Sequence, residues 1–209
     1  MKFYLSSYKF GSAENVQKFK NMIEDTNKKV AYIANAMDFA TDLERRKNSQ
    51  KADIDDLKSI GLIPTEINLV DFFEKKDELE NELTKFDIIR VRWWNTFVLR
   101  QAMKLSGFDK ILKDYFKNNK NIIYGASSAW VCILWPTLKC YQIVDDPSQK
   151  PYGDYETILD GLWILDYSIA PHYRSDHFES EDIEKEVQNM IDQKMLFKAL
   201  RDGEVIIYS

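Results

Sequence analysis

The sequence predicts an α/β fold: a single domain built on a doubly wound, mostly parallel sheet with helices on both faces and a nucleophile-elbow turn after a central strand. Three observations carry this reading. Short β-branched and aromatic runs alternate along the chain with longer amphipathic stretches. The segment N-I-I-Y-G-A-S-S-A-W-V-C-I-L-W-P at 121–136 reads as strand, tight turn and helix. A length of 209 residues suits one α/β domain, since such domains reach about 200–250 residues.

Taken in order, residues 3–5 form a first strand, and Ser12 caps a helix whose Val16, Phe19, Met22 and Ile23 share one face. Residues 30–34 give a second strand. A polar helix over 38–59 stops at Gly61, and a third strand over 67–70 follows Pro64. The charge run at 74–82 is a solvated helix face. Residues 88–92 read as a strand, 97–105 and 109–116 as helices, and 122–124 as the buried strand before the turn. The stretch 139–155, with Pro147, Pro151, Gly153 and several aspartates, is a long surface loop. A strand over 162–169 ends at Pro171-His172, Ser180 caps a final helix carrying Ile183, Val187, Met190 and Ile191, and Asp202-Gly203 signals a hairpin before residues 204–208.

The turn at Ser127-Ser128 is where an α/β-hydrolase type of fold holds its nucleophile clear of the sheet, with the next backbone N–H facing a developing oxyanion. The G-x-S-x-G pattern is only half present, because Ala126 precedes Ser128 by two residues and Trp130 follows it by two. An ordinary helix N-cap serine is the competing reading.

Composition narrows the classes. A net charge of −5 offers no basic field for nucleic acid or anionic lipid. Cys132 and Cys140, eight residues apart, argue against a disulfide scaffold and for a reducing, cytoplasmic setting. The N-terminus has too short an apolar run for a signal peptide, and the longest apolar stretch, about 122–135, falls short of the roughly 20 residues a membrane helix needs. His172 and His177, five apart after a proline, lack metal-hydrolase spacing, and neither a metal nor a cofactor is expected.

Three segments end strands and can meet at the carboxyl edge of the sheet: W-W-N-T-F at 93–97, the Ser128 turn, and A-P-H-Y at 170–173. Their order resembles the peptidase E and cyanophycinase-like serine peptidases, of class I glutamine amidotransferase-like fold, in which G-G-N-T-F, G-x-S-A-G-A and P-H-[YF] occur in this sequence. N-A-M-D at 35–38, S-G-F-D at 106–109 and the closing L-R-D-G-E-V-I-I extend the likeness over nearly the whole chain. The resemblance implies Ser128 as nucleophile, His172 as general base and Asp145, with Asp146 its neighbour, as the orienting acid. It also implies oxyanion-hole N–H groups from Trp94 and Ala129, and substrate contacts from Asn95, Thr96, Trp93, Trp130 and Arg92. The expected substrate is a short peptide cut at an acidic residue, and the expected state a monomer or homodimer.

The departures carry their own expectation. Trp93, Trp94, Trp130, Trp135 and Trp163 stand where the family has small residues, and bulk in place of glycine disturbs close backbone approach. Weak or lost activity, restored by glycine, is one expectation; a redesigned, non-catalytic small-molecule binder on the same scaffold is the alternative. Arg90 and Arg92, facing the same way along one strand, would be costly if buried without partners.

Overall fold

A computed structural model describes residues 1–92 and 94–208, with the side chains of residues 129 and 130 left aside. The chain runs β1 (Lys2–Ser6), α1 (Ala13–Met22), β2 (Lys29–Ile33), α2 (Leu43–Ser59), β3 (Ile63–Glu66), α3 (Lys76–Leu83) and β4 (Ile88–Val91). It continues through α4 (Thr96–Ser106), α5 (Phe108–Lys117), β5 (Ile123–Ser127), α6 (Ala129–Cys132), β6 (Ser168–Ala170), α7 (Ser180–Asp192), β7 (Phe197–Ala199) and β8 (Val205–Tyr208). The main sheet has the order β3-β2-β4-β5-β1-β8, parallel throughout except for β8, which runs antiparallel to β1.

Alternation along the strands sorts side chains onto two faces. Phe3, Leu5, Ile33, Ile89, Val91 and Tyr124 join one core with apolar residues of α3, α4, α5 and α7. Tyr4, Val30, Tyr32, Ile88 and Ile123 pack with Phe19 of α1 and Leu57 of α2 on the other. Helices therefore cover both faces, as the alternating pattern predicts, and β5 with its following turn sits inside the sheet between β4 and β1.

Four local expectations are corrected. The third strand is Ile63–Glu66, not 67–70, and it contains Pro64; at the sheet edge only one side of the strand must pair, so the missing N–H does no harm. Residues Leu69–Phe72 instead form a 3₁₀ turn capped by Asn68. The helix expected from residue 38 begins at Leu43, with the Asp42 carboxylate accepting from Arg45 N–H. The strand expected over 162–169 shrinks to Ser168–Ala170 because residues 159–165 form a strap beside α6. There Gly161 N–H donates to Pro136 O at 3.0 Å, Leu162 N–H to Ile133 O at 2.8 Å and Ile164 N–H to Leu134 O at 2.9 Å. Those carbonyls lie just past the short α6, where a helix end leaves acceptors without intrahelical donors. Finally, Asp202-Gly203 does not close a hairpin: β7 pairs with β6, β8 pairs with β1, and the turn joins two different sheets.

Candidate active site

Ser128 sits between β5 and α6 with φ 55° and ψ −134°, a conformation that a residue bearing a Cβ rarely adopts. Its N–H is held by the carbonyls of Ser6 and Ser7, each at 3.2 Å, at the end of the neighbouring β1. This sharp bend is what the sequence turn predicts, and it presents the hydroxyl to the segment that follows β6.

That segment carries His172, 1% exposed and also at positive φ (58°). Its Nε2 lies 2.9 Å from Ser128 Oγ and its Nδ1 lies 2.7 Å from Asp202 Oδ1. A carboxylate can only accept, so the Nδ1 proton points to Asp202 and Nε2 is left to accept from the serine hydroxyl. Ser7 knits the arrangement together: its hydroxyl donates to Asp202 Oδ1 at 2.8 Å and accepts from His172 N–H at 2.8 Å. Asp202 N–H in turn donates to Ser175 Oγ at 2.8 Å. The His177 ring stacks on His172 with centroids 3.7 Å apart.

The carboxylate beside His172 Nδ1 is therefore Asp202, not the Asp145 or Asp146 that the resemblance names. Asp145 Oδ2 accepts from Thr96 N–H at 2.8 Å, and burial raises its carboxyl to about 6. Asp146 points outward, and its bonds with Ser148 and Gln149 hold its carboxyl below the ordinary range. Its backbone carbonyl accepts from Asn95 Nδ2 at 2.9 Å, while Asn95 Oδ1 caps α4 by accepting from Phe97 and Val98 N–H. Asn95 and Thr96 thus tie the 145–146 segment to the start of α4. Asp202 lies within the closing L-R-D-G-E-V-I-I segment, whose Asp-Gly pair reads as a turn, and the pairing of β8 with β1 is what brings it beside Ser7.

Arg92 also departs from its expected role. It is 3% exposed, forms an ion pair through Nε with Asp53 at 2.5 Å and bonds to Ser49, on the sheet face covered by α2. Arg90 donates to Lys9 O and Ser127 Oγ, both at 2.9 Å, and lies over the Phe10 ring. Both guanidiniums are buried and bonded to groups of the chain itself, and neither is among the residues lining the pocket beside Ser128.

A pocket opens beside Ser128, lined in part by Trp94, Thr96, Asp145, Glu179 and Glu186. Trp94 is the one tryptophan among the described side chains to line it. Trp163 is 72% exposed and Trp135 half-buried. Trp93 and the Trp130 side chain, both expected substrate contacts, lie outside the described residues, as does the Ala129 side chain.

Burial is the largest influence on His172 and lowers its pKa below 6.5, to about 4, against the opposing pull of Asp202. A base with a lowered pKa stays neutral to more acid pH. Hydrolysis of an uncharged ester such as p-nitrophenyl acetate is accordingly expected to hold its rate well below pH 6.5 and to fall only toward about 4. A pH–rate profile with its acid limb at 6.5 or above would contradict this environment.

A serine, an imidazole and a carboxylate joined in line at a strand-to-helix turn are the arrangement that acyl transfer by a serine can use. The family model for peptidase family S51 matches residues 4–209. This chain belongs to peptidase family S51. As an S51 chain it aligns with an uncharacterized peptidase of Listeria monocytogenes at 32% identity over 123 residues, 59% of this chain and 57% of the relative. A second uncharacterized peptidase, from Listeria innocua, is 30% identical over 123 residues, 59% of this chain and 56% of the relative. The chain spans just over half the length of these curated relatives. Among solved structures, a candidate peptidase E protein from Listeria monocytogenes superposes with a TM-score of 0.72 at 26% identity, covering 99% of this chain and 97% of that one. A peptidase from an acI-B1 actinobacterium shares the fold at a TM-score of 0.70 and 11% identity, covering 99% of this chain and 82% of that one. Nothing in these relatives or in the fold supports the reading of the tryptophan-rich segments as redesign.

Proposed function

We propose that this S51 chain is a serine peptidase acting on short peptides, with Ser128 as nucleophile, His172 as general base and Asp202 as the carboxylate that orients the imidazole. The observation that carries the reading is the continuous Ser128–His172–Asp202 hydrogen-bond line, at 2.9 and 2.7 Å. In this mechanism Nε2 takes the hydroxyl proton as Oγ attacks the peptide carbonyl, then returns it to the departing amine, leaving an acyl ester on Ser128. Water, deprotonated by the same nitrogen, attacks that ester and releases the acid. In that second step Nε2 hands the proton on to the departing Ser128 Oγ, and in both steps Asp202 keeps the Nδ1 proton in place and stabilises the imidazolium that exists while Nε2 carries the transferred proton.

The N–H of Ala129, directly after the nucleophile, and that of Trp94 are the donors that the family resemblance assigns to the oxyanion. Each such donor contributes on the order of 100- to 1,000-fold in rate. The intact relay favours a working site over a dismantled one. Resemblance to peptidase E also brings a preference for an acidic residue at the cleaved bond.

A fluorophosphonate probe tests the assignment of the nucleophile. One covalent adduct is expected, mapped to Ser128 by peptide mass spectrometry and lost in Ser128→Ala. An unlabelled wild-type protein, or label on Ser127, would refute it.

A further inference from the structure

Strand β4 carries two arginines on the sheet face covered by α1 and α2, and a small cavity opens beside them. It shares no lining residue with the pocket beside Ser128. Three cationic side chains line it, Lys9, Arg90 and Arg92, against two carboxylates, Asp53 and Asp56. Both carboxylates are already paired. Asp53 meets Arg92 Nε at 2.5 Å and accepts from the Tyr32 hydroxyl at 3.1 Å, and Asp56 meets Lys9 Nζ at 2.9 Å. Arg90 has no ion pair among the described residues.

Arg90 is 7% exposed, and its hydrogen bonds are made on one side only. Nη2 donates to Lys9 O and Ser127 Oγ, both at 2.9 Å, whereas the buried Nη1 has no hydrogen-bond partner among the described residues. The Phe10 ring covers one face of the guanidinium, its centroid 4.8 Å away, so the remaining donors can be met only along the edge. Ser127 offers a second donor. Its oxygen accepts from Arg90, and its hydrogen meets no acceptor among the described residues, although the residue is 2% exposed.

We propose that this cavity is a binding site for one monovalent anion of chloride size, held by Arg90 Nη1 and the Ser127 hydroxyl. Three features choose this occupant. Charge comes first: a guanidinium stays protonated at any ordinary pH, and burying it without a counter-ion is costly. Burial is the largest influence on Arg90 and works against its charge, with Asp53 the first of the groups that oppose it. Size comes second, because the whole free space is about 20 Å³, which fits one water-sized ion and excludes sulfate, phosphate or a carboxylate with its chain. The chemistry of the unfilled groups comes third. Both are donors, which an anion accepts from and a cation cannot, and Ser127 Oγ stands 2.9 Å from Nη2 of the same guanidinium, so they are neighbours. Arg90 on β4 and Ser127 at the end of the adjacent β5 come one residue before Ser128, and the ion braces the strand that carries it.

The test compares thermal melts in sodium chloride and in sodium gluconate at equal ionic strength, with gluconate too large for the cavity. The melting temperature is expected to rise saturably with chloride, by about 3–6 °C at ten times the half-saturating concentration. In Arg90→Met the two salts should act alike, which also removes any general salt effect from the comparison. Ser127→Ala should raise the half-saturating chloride concentration about 10-fold or more, the worth of a hydrogen bond to a charged group. If Arg90→Met does not fold, Ser127→Ala supplies the comparison, and crystals of the unaltered chain grown in sodium bromide should show the anomalous signal of bromide in contact with Arg90 Nη1. Equal melting temperatures in chloride and gluconate, a chloride effect undiminished in the folded variants, or a water in place of bromide would overturn the proposal.

Discussion

Asp202→Asn is expected to lower kcat/KM by about 1,000- to 10,000-fold, while Asp145→Asn costs no more than about 10-fold. The amide nitrogen of asparagine can donate to Nδ1, which favours the tautomer carrying its proton on Nε2. That proton would face Ser128 Oγ, 2.9 Å away, and the imidazole could no longer accept from the hydroxyl. Asp145 has another task, accepting from Thr96 N–H at 2.8 Å, and the carbonyl of an asparagine there can still accept. Steady-state assays on the two variants, with thermal unfolding as a folding control, decide between the acids. The opposite ranking would remove Asp202 from the proposed mechanism.

Gly161→Ala is expected to destabilise the protein by about 3 kcal/mol or more, at the upper end of ordinary overpacking. For a chain of this size that corresponds to a fall in Tm of roughly 6–12 °C. A Cβ at this position would stand 1.8 Å from the carbonyl oxygen of Trp135 and 3.0 Å from that of Ile133. Both obstacles are backbone atoms, so no side-chain rotation relieves the clash. The strap over 159–165 would have to lift, weakening the donors from Gly161, Leu162 and Ile164 that occupy the carbonyls beyond α6. Calorimetry or a thermal melt monitored by circular dichroism measures the effect. A shift under about 2 °C would show that the strap yields easily.

The contrast between His172 and Asp202 shows what the sequence can and cannot disclose. Ser128 was legible because a strand, a tight turn and a helix leave a local signature, and His172 because P-H-Y follows a strand in the family's order. The sheet class was equally plain, since the inner strands are written as apolar runs between helical ones. Asp202 has no such signature. Its place depends on the antiparallel register of β8 on β1, which aligns Ser6 with Val205 and brings the preceding turn to Ser7. Pro64 misled for a related reason, because only the pairing of β3 with β2 alone reveals an edge that tolerates it. The resemblance puts Arg92 at the substrate, although strand alternation sets it on the face of Ile88 and Arg90; its partner Asp53, on α2, is what the sequence does not disclose. Glu186 carries no signal in the sequence. In a helix bearing Ile183, Val187 and Met190 it reads as one more polar position, and only the packing of α7 beside Ser128 buries it.

The carboxylate of the relay follows the imidazole by 30 residues and stands just ahead of β8. Synthesis delivers the chain from its N-terminus, so β1 through β5 and the serine bend can assemble while residue 202 is still untranslated. Until β8 docks along β1, His172 lacks the carboxylate that bonds its Nδ1. The proposed mechanism therefore requires β8 to be made and docked along β1 before the serine can be activated.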